Sequence, residues 1–175
     1  MKFNIIIISI FTFFAFDSIS AQNNFLLNRF SENISFIRMD SIHTSQATII
    51  EYPDFLSIIE LPFIDEGGNV SKNLHEDSVK AEEFIRFLDK TYNGKPVKYI
   101  LHSHWHLHSL SGITPFFKRN VTLFTARSNW QYSINNGFLS NTDISSFTNR
   151  IEFVEKDTTI LSNTEFPIHI LHLDI

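Results

Sequence analysis

The chain has no cysteine in its 175 residues. That absence excludes a disulfide-stapled scaffold, thiolate metal ligands and a cysteine nucleophile, and it leaves a lipoprotein-type lipid anchor no attachment point. Glycine and proline are scarce at five each, too few for a collagen-like or low-complexity chain. Neither charge sign dominates. Fourteen Lys+Arg against nineteen Asp+Glu give a net charge of -5, which argues against nonspecific nucleic-acid binding. The longest apolar run falls short of the roughly 20 residues that a membrane-spanning helix needs. What the chain does have is bulk: it is 43% hydrophobic and carries nineteen Phe, enough for one sizeable core and not two. One soluble domain of ordinary composition is expected.

The first segment reads as an export signal. Lys2 supplies a basic start, Ile5 to Phe16 is almost entirely apolar, and Ser18-Ile19-Ser20-Ala21 offers small residues for cleavage. The apolar run has the length of a signal core, roughly 7 to 15 residues. The expected organisation is a signal peptide over 1–21, a lead-in over 22–46 and a domain over 47–175. The mature protein would be periplasmic or secreted, with no stable membrane anchor. An uncleaved anchor or a buried N-terminal helix is the alternative.

No 20–50-residue repeat interrupts the rest. Ala47 to Tyr52 is β-branched and apolar, Pro53-Asp54 is a turn pair, and Phe55 to Glu60 resumes the apolar run, so a hairpin is predicted. From Asn73 the period lengthens. Ala81, Phe84, Ile85, Leu88 and Tyr92 share one helical face, and Asn93-Gly94 followed by Pro96 stops the helix. Val97 to Leu101 then forms a short apolar strand. A strand, a helix and a strand in that order most simply make a parallel crossover. Further strands are expected at Val121 to Thr125 and Ile168 to Leu173, with Ile151 to Val154 and Thr158 to Leu161 flanking a polar turn. Ser128 to Asn136 and Thr142 to Asn149 have weak helical character. The fold class is α/β.

Four of the eight His alternate at His102, His104, His106 and His108, directly after the strand Val97 to Leu101. In extended backbone, residues two apart share a face, and the carboxyl ends of parallel strands are where α/β folds bind ligands. Neutral imidazole is a favoured zinc ligand, so a metal site is predicted; four solvated or hydrogen-bonded loop histidines are the alternative.

The stretch Gly94-Lys95-Pro96, the strand Val97 to Leu101 and Ser103-His104-Trp105-His106-Leu107-His108-Ser109-Leu110-Ser111-Gly112 resembles the metallo-β-lactamase-fold hydrolases, whose exported branch has a Lys-Pro, a hydrophobic strand and then THxHxDHxGG. Gly112 sets the register. The resemblance implies an αββα sandwich of which this chain carries the N-terminal half. It implies that His104 and His106 match the first two ligands of the first zinc site, and that His108 and Ser109 stand where the family has the Asp and His of the second. One zinc ion at most is therefore expected, with His108, or His102, completing its shell. Ile58-Ile59-Glu60-Leu61-Pro62 resembles the family strand whose terminal acid braces the metal loop, with Asp65 as the other claimant. Val121 to Asn129 resembles the strand carrying TxxTHExN, with Ala126 in place of the His.

In the family, the third His of the first site and the bridging Asp come from the second half. His169 and His172 lie too early to replace that third His, and His43 and His75 read as surface residues. Lack of that half would leave an apolar strand unpaired at the C-terminal end, so a homodimer through exposed sheet, aggregation or low stability is expected.

Three functions follow. The first is a hydrolase acting on a small-molecule ester, amide or lactam. The second is a catalytically silent relative, and the third is an exported metal-binding protein using the His row as one cluster. Serine chemistry is excluded, because no Gly-x-Ser-x-Gly elbow is present. Glu82-Glu83 reads as a solvated helix face, and Arg127, Asn129 and Trp130 are placed to flank a pocket, Trp130 mainly by packing.

Overall fold

A computed structural model describes the backbone of residues 4–7, 17–22, 24–39, 46–63, 74–103, 110, 112–135 and 145–174. The element order among them is β1 (Asn4–Ile7), β2 (Asp17–Gln22), β3 (Phe25–Arg29), β4 (Ile34–Met39), β5 (Ala47–Glu51), β6 (Leu56–Ile59), α1 (Leu74–Thr91), β7 (Val97–His102), α2 (Thr114–Phe117), β8 (Thr122–Thr125), α3 (Arg127–Asn135), a 3-10 segment (Ser145–Arg150), β9 (Ile151–Phe153), β10 (Thr158–Ile160) and β11 (Ile168–Asp174). This is a mixed α/β fold. One large sheet runs β2 through β9 in chain order, and a smaller sheet has the order β1-β11-β10.

The large sheet is antiparallel up to β6 and parallel from β6 to β9. Its direction changes because the β5–β6 connection is a tight turn at Pro53-Asp54, whereas α1 carries the chain from β6 back to the starting edge before β7. The predicted face of α1, Ala81, Phe84, Ile85, Leu88 and Tyr92, is buried, and Phe87 joins it. Phe84 packs at 5.2 Å from Phe25 and 5.8 Å from Phe63, centroid to centroid. Burying a side chain of this size contributes about 1.5–3 kcal/mol. The helix ends in two left-handed residues, Asn93 (φ 54°) and Gly94 (φ 75°). The Gly94 N–H returns to the Asp89 carbonyl at 2.7 Å.

Central strands bury both faces, as parallel strands under two layers must. Ile49, Ile58, Ile100 and Leu123 join α1 and Trp130 in one core. Ile50, Ile59 and Leu101 join Ile160, Ile168 and Ile170 of the small sheet in another. The layers are therefore helices, large sheet, small sheet. Tyr52 links the last two: its hydroxyl donates to the Phe166 carbonyl at 2.5 Å and its ring stacks on Phe55 at 4.5 Å.

Within 22–46, β3 and β4 belong to the large sheet, and their alternate residues Phe25, Leu27, Ile37 and Met39 are buried in the α1 core. The expected signal region contributes backbone pairs, β2 to β3 and β1 to β11. In the small sheet β11 lies between β1 and β10. The segments around Ile151 and Thr158 do flank a polar turn, but that turn carries the chain between sheets: β9 pairs β8 in the large one and β10 pairs β11 in the small one.

Candidate functional site

Because β6, β7, β8 and β9 run parallel, their carboxyl ends share one edge of the sheet. Glu60, Ser103, Ala126 and Val154 are the first residues beyond those four ends. The chain is locked to itself there. Glu60 leaves β6 in a left-handed conformation (φ 60°) and donates its N–H to the Leu101 carbonyl at 2.9 Å. Its Oε1 accepts the Ser103 backbone N–H at 2.5 Å and also the Ser103 hydroxyl. A carboxylate accepting two donors from one residue fixes both the position and the rotation of that residue.

One residue earlier, His102 is buried and pairs in register with Thr125 on β8. Its Nδ1 lies 2.8 Å from Thr125 Oγ1, and the Thr125 carbonyl accepts the Val154 N–H at 2.9 Å. His102 thus belongs to a buried network joining the ends of three strands. On the far side of the His row the chain is anchored again: Leu110 and Ile113 are buried in the α1 core and Gly112 is buried with φ 74°. Only glycine takes that conformation without strain.

His104, His106, His108 and Ser109 lie outside the described residues, and so do Asp65 and His43. Among the described residues no group of three His, Asp or Glu is assembled to hold a metal ion. Glu60 stands at the root of the row and Gly112 beyond its end. His169 is exposed and lies 2.9 Å, Nδ1 to Oγ1, from Thr159. His75 falls in α1 and His172 in β11. Arg127 pairs with Glu155 at 2.7 Å and sits 4.1 Å over the Phe153 ring. Trp130 packs in the α1 core, and Asn129 beside it is buried in the first turn of α3. Sequence reasoning missed Thr125; its signal was a hydroxyl at the end of an apolar strand next to the one bearing His102.

No family model matches this chain, and no curated protein matches it. Among solved structures, a metallo-beta-lactamase from Pontibacter korlensis is similar with a TM-score of 0.47 and 15% identity, over 83% of this chain and 55% of that one. The chain thus spans about half the length of that structure.

Proposed function

We propose that this chain is an exported metallo-β-lactamase-like domain that holds one zinc ion through His104, His106 and His108. The observation that carries this reading is the double hold of Glu60 on Ser103 at the root of the His row. A loop that merely displayed solvated histidines would need no fixed anchor at each end. A loop that must present several imidazoles to one cation does, because ligand affinity depends on how firmly the supporting shell fixes the backbone.

The donor set suits zinc, with neutral nitrogen ligands, no thiolate, and no carboxylate in the row. When bound, zinc supplies Lewis acidity, polarising an ester, amide or lactam carbonyl and acidifying water. The chain's own residues do the rest. Glu60 sets where the row begins, the His102–Thr125 pair closes the sheet beneath it, and Leu110, Gly112 and Ile113 fix where it ends. His108 and Ser109 replace the acid and imidazole of a second site, so a single ion is the stoichiometry this reading requires.

The test is zinc content and turnover of the full chain, measured by metal analysis after dialysis and with a generic ester and a cephalosporin reporter. One zinc per chain with turnover, both lost in His104→Ala, supports the hydrolase. Zinc lost progressively across single substitutions of His102, His104, His106 and His108, without turnover, moves the reading to a His-cluster metal-binding protein. A chain that retains no zinc overturns both and leaves a catalytically silent relative.

A further inference from the structure

The first turn of α3 lies one residue beyond β8, at the edge of the sheet where β7 also ends. The Trp130 N–H bonds the Ala126 carbonyl at 3.1 Å, which makes Ala126 the residue that caps the helix. An alanine side chain has no oxygen to accept an amide N–H, so it cannot cap the first-turn amides of Arg127, Ser128 and Asn129. Asn129 adds a second observation. It is 1% exposed, and its Nδ2 has no hydrogen-bond partner among the described residues. Helical side chains lean toward the N-terminus of their own helix, so the Asn129 side chain lies over the turn that carries those N–H groups. Asn129, Trp130 and Ser133 form the buried face of α3, and Trp130 reaches the core of the large sheet. The orphaned donor is therefore on the buried, sheet-facing side of α3.

A buried amide donor without an acceptor is costly, so one left in place needs a reason. We propose that the first turn of α3, with Asn129 Nδ2, is a subsite for a small oxyanion, namely a carboxylate of the molecule that binds at the strand edge. The uncapped first-turn N–H groups and the positive end of the helix dipole both favour an anion there. Arg127 adds little net charge because Glu155 neutralises it at 2.7 Å. Selectivity for the oxyanion thus comes from oriented N–H groups. The subsite stands without zinc; the zinc reading enters only in making the carboxylate part of a hydrolysable substrate.

The experiment is a titration of the metal-free full chain with acetate at constant ionic strength, followed by amide NMR. Saturable shifts of the Arg127, Ser128 and Asn129 backbone amides and of the Asn129 side-chain NH2 are expected. Asn129→Leu should weaken the response by about tenfold. A linear, unsaturable drift, or an unchanged affinity in a folded Asn129→Leu, overturns the subsite. Should that variant lose its fold, Ala126→Ser serves in its place: its hydroxyl supplies the missing cap and should compete with acetate, and undiminished binding there overturns the proposal. Zinc is absent throughout, so failure of the metal reading leaves this result standing and the converse also holds.

Discussion

Glu60 and Ser103 are 43 residues apart in sequence, yet the Glu60 carboxylate takes both hydrogen-bond donors of Ser103, backbone and hydroxyl. Charge-assisted bonds of this kind contribute more than neutral ones, about 1.5–3 kcal/mol each when lost to truncation. Glu60→Ala should lower the stability of the full chain by that order in urea denaturation. On the proposed zinc reading it should also weaken zinc retention by about 10–100-fold, the usual effect of removing a residue that orients metal ligands. Glu60→Gln keeps an acceptor and should fall between the two. Unchanged zinc retention in a folded Glu60→Ala would separate the tether from the metal.

Thr125→Val removes the hydroxyl that faces His102 Nδ1 at 2.8 Å while keeping the shape of the side chain. Both residues are buried, so the imidazole loses that contact where water is excluded, and a destabilisation of about 1–3 kcal/mol is expected. Thr125→Ser should restore most of it. Thermal unfolding of the three proteins, with the His102 ring signals followed by NMR, is the check.

At Gly94, φ is +75° and an added Cβ would meet no atom within 4 Å. Gly94→Ala therefore isolates a backbone cost from any packing cost. The expected loss is about 1–2 kcal/mol, the penalty for a left-handed L-residue. Gly94→Asn should lose less, because asparagine tolerates that region. A loss well above this range in the alanine variant would reveal crowding that the structure does not have.

Burial pushes the Tyr52 phenol above its ordinary range, partly offset by a hydrogen bond with Thr164, and burial also pushes Tyr92 up, offset by Ser35. The sign follows from linkage. With a raised folded pKa, the unfolded chain gives up its proton first as pH rises past the ordinary tyrosine value of about 10. Stability contributed by these groups is intact below that pH and is lost progressively above it, up to the raised folded values. Tyr52→Phe should blunt the alkaline loss, and it should lower stability at neutral pH because the bond to the Phe166 carbonyl disappears. Urea unfolding at neutral pH and above pH 10 distinguishes the two effects.

Sequence by itself determined what depends on neighbours. The buried face of α1 follows from a 3.6-residue period, the stop at Asn93-Gly94 from residues that tolerate positive φ, and the β5–β6 hairpin from a Pro-Asp turn between two apolar runs. The same local pattern ends β7 at His102, the first histidine of the row. Tertiary structure decided what depends on partners distant in the chain. Glu60 meets Ser103 across 43 residues, and Thr125 meets His102 across 23. β3 and β4 read as a lead-in because Asn28, Arg29 and the Ser31-Glu32-Asn33 turn interrupt their alternation, and only the α1 core gives Phe25 and Ile37 a place to bury. β9 and β10 flank one short turn, and which sheet each joins is set by the strand already waiting beside it, β8 or β11. Period and turn chemistry are written residue by residue, whereas the choice of a pairing partner is a free-energy difference between whole arrangements of the chain.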